Sequence, residues 1–161
     1  MRCFILVLSL LLLSTLLFGQ KTKVKPADPP PAGMTLLANY VHEKGQGIDT
    51  AVGAIRKERG MMISYDIGNL AGNYAMANTD EEKANLIWTK TQKRNGLTLM
   101  LSYSRNGVLV ATFRETCANF VTNDATSDER IADFILMITT YQANAPDLSK
   151  VPQKMRINYG C

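Results

Sequence analysis

Alternating apolar and polar residues between positions 86 and 116 form the clearest structural pattern in the chain. Two pairs, Asn95-Gly96 and Asn106-Gly107, separate three such runs. Asn-Gly favours a two-residue hairpin turn, because both turn residues adopt positive φ. The pattern therefore predicts an antiparallel meander with strands at about 86–94, 97–105 and 108–116.

Two-residue turns would also fix the register of the three strands. Arg94 would face Leu97, Trp88 would face Tyr103, Tyr103 would face Val110, and Met100 would face Phe113. The face that we expect to form the core carries Trp88, Leu97, Leu99, Leu101, Tyr103, Val108 and Val110. The opposite face carries Ile87, Met100, Leu109, Ala111 and Phe113. Since that second face is more apolar than a fully hydrated face requires, another element or a partner is expected to cover part of it.

Helical spacing of apolar residues follows the predicted meander. Thr126 and Glu129 have the spacing of a capping box, which predicts a helix over about 127–142. Its apolar stripe consists of Ile131, Phe134, Ile135 and Ile138. Asn144 and Pro146 are expected to end it. This amphipathic helix is predicted to cover the core face of the sheet.

The chain before the meander is less clearly patterned. Residues 34–44 have apolar spacing that predicts a short helix. Residues 49–67 fit either a helix over 49–59 or two strands around Arg59-Gly60, and 61–67 is the safer strand. Thr79 and Glu82 form a capping box that predicts one helical turn. Together these patterns predict a single α+β domain over 34–145, with an antiparallel sheet of four to five strands and a C-terminal amphipathic helix on one face.

The N-terminus has the order of features of a secretory signal peptide. Met1 and Arg2 give a positive start, Phe4–Phe18 is mostly apolar, and Gly19 offers a small residue for cleavage. We therefore expect residues 1–20 to be removed near Gly19–Lys21, and the mature chain to be secreted or periplasmic. Because Lys21, Lys23 and Lys25 follow the apolar run, an uncleaved membrane anchor is the alternative.

Composition outside these elements adds two segments and excludes some functions. Residues 21–33 form a Pro- and Lys-rich spacer, and residues 146–161 are expected to be an irregular tail. The formal net charge is +4, but three lysines belong to the spacer, so the domain itself is nearly neutral. No nucleic-acid partner is therefore expected. With one histidine and no phosphate-binding or metal motif, no metal and no cofactor are expected.

Two cysteines, Cys117 and Cys161, remain once Cys3 leaves with the signal peptide. In an oxidising compartment the pair predicts one disulfide. A buried unpaired Cys117, or an intermolecular bond through Cys161, is the alternative.

Candidate catalytic residues are present, but their spacing does not connect them. The residue types that a small secreted ribonuclease uses for phosphate binding and acid–base chemistry occur at His42, Arg105, Arg114 and Glu115. Asp66 is a separate candidate, because it follows a strand pattern and functional carboxylates often lie at strand ends; a turn-capping role is the alternative. A nucleophilic pair of Cys117 and His42 is a further alternative, incompatible with a disulfide at Cys117. The preferred hypothesis is a non-catalytic secreted binding protein with an unknown protein or small-molecule partner. The alternative is a small secreted hydrolase of the nuclease type; the oligomeric state is not indicated.

Overall fold

The computed structural model describes residues 28–68 and 71–143. The strands are β1 Tyr40–Lys44, β2 Ala51–Lys57, β3 Met62–Ile67, β4 Leu86–Arg94, β5 Leu97–Ser104, β6 Leu109–Phe113 and β7 Ala118–Thr122. The helices are α1 Asp80–Asn85 and α2 Asp128–Ile138, and Pro31–Gly33 and Arg114–Thr116 form 3₁₀ turns. The predicted signal peptide, residues 21–27 of the spacer and the predicted tail lie outside the described residues.

All seven strands form one antiparallel sheet in the order β1-β2-β3-β7-β6-β5-β4. Two meanders, β1–β3 and β4–β7, meet where β3 pairs with β7. The α+β class and the antiparallel sheet are thus confirmed, whereas a sheet of four to five strands is too small. The two strands that the sequence pattern did not predict are β1 and β7.

The predicted helix over 34–44 is wrong, because its second half is strand β1. Tyr40 and His42 are buried while Val41 is 43% exposed, which is the two-residue period of a strand. Asn39, immediately before β1, has a φ of +67°, which a continuing helix does not allow. Met34 still packs into the core from the irregular segment that precedes β1.

Between the two alternatives for residues 49–67, the structure has the two strands. β2 and β3 pair along their whole length around a turn in which Arg59 has a φ of +54°. Ile55 and Ile63 lie opposite each other at 0% exposure. Their burial against each other stabilises the β2–β3 hairpin. A surface helix over 49–59 would not bring Ile55 and Ile63 into this pairing.

The first Asn-Gly turn is as predicted and the second is not. Asn95 and Gly96 both have positive φ, and Arg94 pairs with Leu97. In the second turn only Gly107 has positive φ, and Tyr103 pairs with Leu109 instead of Val110. The loop therefore contains three residues, 105–107, as in a type I turn followed by a left-handed glycine.

This one-residue shift moves every side chain of β6 to the other face. Met100 faces Thr112, and Phe113 lies opposite Leu99. The predicted places of Val108 and Val110 on the core face are therefore wrong. Leu109, Ala111 and Phe113 occupy the core face instead, each at 0% exposure.

Helix α2 covers the core face of the sheet, as the sequence predicts. Phe134, Met137 and Ile138 are fully buried against the side chains of β2, β3 and β5–β7. The predicted cap is displaced by one residue, since Ser127 rather than Thr126 accepts a hydrogen bond from the backbone N–H of Arg130. The helix also ends at Ile138, and the following turns place Tyr141 against the rings of Phe113 and Phe120.

Candidate ligand-binding cleft

The connection from β3, inside the sheet, to β4, at its edge, crosses the face opposite α2 over residues 71–79. The expectation that another element covers part of this second face is thereby met on the half formed by β5–β7. We call the described part of this connection over the strands, residues 71–79, the crossover segment.

Two buried polar side chains fasten the crossover segment to the sheet. Thr112 and Asn119 lie opposite each other on β6 and β7, and both are 0% exposed. The Thr112 hydroxyl donates to Asn119 Oδ1 at 2.6 Å and accepts from the backbone N–H of Ala75 at 3.1 Å. Asn119 Nδ2 donates to the carbonyl of Gly72 at 2.8 Å. Since buried polar groups are costly without partners, these bonds fix the path of the segment.

Tyr74 makes a further contact between the crossover segment and the sheet. Its hydroxyl donates to Asp66 Oδ2 at 2.9 Å, and this hydrogen bond is the main reason that the pKa of Tyr74 is raised. The other carboxylate oxygen, Asp66 Oδ1, is buried and has no hydrogen-bond partner among the described residues.

Helix α1 ends the crossover and begins with the predicted capping box. The Thr79 hydroxyl accepts from the backbone N–H of Glu82, and the Glu82 carboxylate accepts from the N–H groups of Thr79 and Asn78. These backbone hydrogen bonds lower the pKa of Glu82, so its carboxylate is ionised at neutral pH. The carbonyl of Asn85 accepts from the backbone N–H of Arg105, which ties α1 to the second hairpin turn.

A cleft of about 210 Å³ lies between α1, the crossover segment and the second face of β5 and β6. Ser102 and Val110, which lie opposite each other, contribute to its floor from the two strands. The lining residues are Tyr74, Ala77, Glu82, Asn85, Leu86, Ser102, Ser104, Asn106, Val108 and Val110. Glu82 is the only residue of this lining that carries a charge at neutral pH.

Ser102 is the most informative residue of the cleft. It is 6% exposed, and its hydroxyl has no hydrogen-bond partner among the described residues. Because Ser102 lines the cleft, solvent or a ligand in the cleft can supply a hydrogen bond to this hydroxyl. The neighbouring Ser104 hydroxyl, in contrast, donates to Asn106 Oδ1 at 2.5 Å.

His42 lies far from this cleft, on the α2 side of the sheet at the opposite edge. It is 5% exposed and its ring stacks on Tyr65. Nδ1 lies 3.1 Å from the carbonyl oxygen of Asp28, and Nε2 lies 2.9 Å from the Tyr65 hydroxyl. Because a carbonyl can only accept, Nδ1 carries the proton, and in the neutral ring Nε2 accepts from Tyr65. Both nitrogens therefore have structural partners.

The other sequence candidates lie at opposite ends of the sheet. Arg105 is in the β5–β6 turn, whereas Arg114 and Glu115 are in the 3₁₀ turn between β6 and β7. Glu115 accepts from the backbone N–H of Thr98 at 2.7 Å and from Lys93 Nζ at 3.3 Å. Burial by itself would raise the pKa of Glu115, but the hydrogen bonds from Thr98 and Lys93 outweigh it and the pKa is lowered.

The five candidate catalytic residues are thus divided between both faces and both ends of the sheet. His42 and Asp66 are on opposite faces, and Arg105 is at the end opposite Glu115. None of the five is in the lining of the cleft. Sequence reasoning missed Ser102 and Glu82 as site residues. The available signal was the polar series Ser102, Thr112 and Asn119, which lie on one face of three neighbouring strands.

Cys117 follows the 3₁₀ turn, is 4% exposed and has a φ of +44°. Cys161 lies outside the described residues, so the bridge between the two stays a prediction. Over the described ranges there is no cluster of three or more His, Cys, Asp or Glu residues that could hold a metal ion. Nor is any helix within 28–68 or 71–143 long and apolar enough to cross a membrane.

The chain matches no family model, no curated protein and no solved structure.

Proposed function

We propose that this chain is an exported, non-catalytic binding protein that takes a hydrogen-bonding group of its ligand into the cleft. The observation that carries the proposal is Ser102, a residue of 6% exposure that lines the cleft and whose hydroxyl has no hydrogen-bond partner in the described part of the chain. The proposal of export is supported by the pattern of residues 1–20.

The size and charge of the cleft restrict the ligand. Its volume of about 210 Å³ is below the ~300–1,000 Å³ of most ligand pockets, so it suits a compact group rather than a nucleotide cofactor. Glu82 gives the lining a negative charge, which disfavours anions. A sugar hydroxyl, an amide or an ammonium group has the required size and hydrogen-bond donors.

The test is a titration of ¹⁵N-labelled protein with a panel of monosaccharides, amino-acid amides and simple amines. Bound compounds should shift the amide signals of residues 82–86 and 102–108. Ser102→Val should weaken such binding about tenfold, since it removes one hydrogen bond to a desolvated group. Ser64→Val is the matched control, because Ser64 lies on the same face in β3, is exposed and lies outside the cleft.

Two results would contradict this proposal. One is the absence of any shift in the cleft with the whole panel and with concentrated extracellular material. The other is turnover in nuclease or esterase assays that is lost in His42→Ala, which would favour the hydrolase alternative.

A further inference from the structure

The two edges of the sheet differ in the contacts that they make with other described residues. At the β1 edge, Asp28 lies against the strand: its Oδ2 is 3.4 Å from the backbone nitrogen of Lys44, and its carbonyl oxygen contacts His42. At the other edge, β4 is nine residues long and has no partner strand beyond it among the described residues. An open edge of this length presents a row of backbone donors and acceptors for another strand.

The side chains of β4 make this edge cationic. Trp88, Lys90 and Arg94 project on the α2 side, opposite Tyr103, Leu101 and Leu97 of β5. The Trp88 ring packs on Tyr103 with 5.7 Å between centroids, at one end of the row. No residue of β4 is acidic, and neither Lys90 nor Arg94 forms an ion pair within the described chain. Lys93, on the other face, is already paired with Glu115.

The same charges argue against three occupants that the chain itself could supply. A second copy paired through β4 would bring two rows of cations together. The segment 144–161 has three basic residues and one acidic residue, and residues 21–27 have three lysines and no acidic residue. Charge complementarity therefore favours a different chain with acidic residues.

We propose that the open edge of β4 binds an extended acidic segment of a protein partner by strand addition. Backbone hydrogen bonds would join the segment to β4, with carboxylates opposite Lys90 and Arg94 and an apolar residue opposite Trp88. If the partner segment runs antiparallel to β4, its sequence has an acidic residue opposite Arg94 and, after three residues of any type, a second acidic residue opposite Lys90. One further residue separates the latter from the apolar residue opposite Trp88. Lys90 and Arg94 are about 13 Å apart along the strand, which matches residues i and i+4 of the partner.

The test uses the full chain from residue 21 to residue 161 and a labelled peptide, Ser-Glu-Val-Thr-Val-Glu-Thr-Phe-Ser, followed by fluorescence anisotropy. The peptide should bind, more weakly as salt is raised, and should shift the amide signals of 86–94. A peptide with Lys in place of both Glu should not bind. Two further peptides, N-methylated on alternate residues, should differ, because only one set of N–H groups faces β4.

Variants separate this surface from its alternatives. Lys90→Glu with Arg94→Glu should reduce binding of the acidic peptide at least tenfold and allow the lysine peptide to bind. The matched control is Lys44→Glu, which reverses an exposed charge on the opposite edge strand. Since Ser102→Val alters the cleft alone, it should leave peptide binding unchanged, so failure of one proposal does not affect the other.

Three outcomes would overturn the proposal. Equal binding of the two N-methylated peptides would show charge attraction without strand addition. Concentration-dependent dimerisation that Lys90→Glu with Arg94→Glu alters would assign the edge to a second copy. Slow hydrogen exchange at every amide of β4 in the free chain would show that another part of the chain already occupies the edge.

Discussion

Gly53 illustrates how one residue sets the geometry beside His42. The Tyr65 ring of β3 lies across Gly53 of β2, and a Cβ built on Gly53 would be 2.4 Å from the Tyr65 hydroxyl and 2.5 Å from the carbonyl oxygen of Glu43. Glycine in a strand interior normally weakens the strand, so its place here needs a reason. The reason is the close approach of Tyr65, whose hydroxyl is hydrogen-bonded to Nε2 of His42.

Replacing Gly53 should therefore be costly. We expect Gly53→Ala to lower the free energy of unfolding by about 1–3 kcal/mol, because the methyl group forces Tyr65 or the β1 backbone to move. Gly72→Ala is the control: among the described residues, its Cβ would approach no atom closer than 3.8 Å. That variant should change stability by less than about 0.5 kcal/mol. Urea unfolding measures both, and equal effects would show that the approach of Tyr65 is not the cause.

At the scale of elements, the second hairpin turn decides which face of β6 is buried. Asn106-Gly107 has the same dipeptide as Asn95-Gly96, yet the two loops differ by one residue. The dipeptide alone cannot distinguish them, because Gly supplies positive φ in both. The burial of Leu109, Ala111 and Phe113 opposite α2 favours the three-residue loop, and that tertiary contact is invisible in the local sequence.

The two loop types predict different effects of alanine in the turn. Gly107 has a φ of +79°, so Gly107→Ala should destabilise the protein by about 1–2 kcal/mol. Asn106 is not among the described residues with positive φ. Asn106→Ala causes no such strain and removes only an exposed hydrogen bond from Ser104, so it should cost about 0.5 kcal/mol. In a two-residue turn both positions would be strained, so a similar loss for the two variants in thermal unfolding would contradict the observed register.

Other elements show where local sequence is sufficient. The capping box of α1 and the first hairpin turn depend on residues within a few positions of each other, and both are as predicted. β1 and β7 are five residues each and depend on neighbours far along the chain, so their patterns were too short to identify them. The cleft depends on the path of the crossover segment, which hydrogen bonds between Ala75 and Thr112 and between Gly72 and Asn119 determine.

At the scale of the whole molecule, the sheet separates three surfaces. α2 and the core occupy one face, the crossover segment and the cleft occupy the β5–β7 half of the other, and β4 leaves one edge open. The sequence predicted the first of these from helical and strand periodicity. The other two follow from strand order, which places β3 inside the sheet and β4 at its edge. Both binding proposals therefore depend on topology rather than on a motif.

The predicted disulfide would make the stability of the molecule depend on an oxidising compartment, where the bond between Cys117 and Cys161 can persist. Cys117 lies between β6 and β7, at the end of the sheet that also holds the Asn95-Gly96 turn, so a covalent bond there leaves the strand pairing intact. A bridge to Cys161 would close a loop of 44 residues. In the chain-entropy model it contributes about 4 kcal/mol, a large part of the ~5–15 kcal/mol that stabilises a typical domain.

Reduction of the oxidised chain should then lower its melting temperature. The same reductant should leave Cys161→Ser unaffected, since that variant has no bridge to lose, and its melting temperature should equal that of the reduced native chain. Mass spectrometry without reductant should find one peptide pair linked through Cys117 and Cys161. Two free thiols, or a dimer linked through Cys161, would contradict the prediction and leave the fold to be stabilised by its core alone.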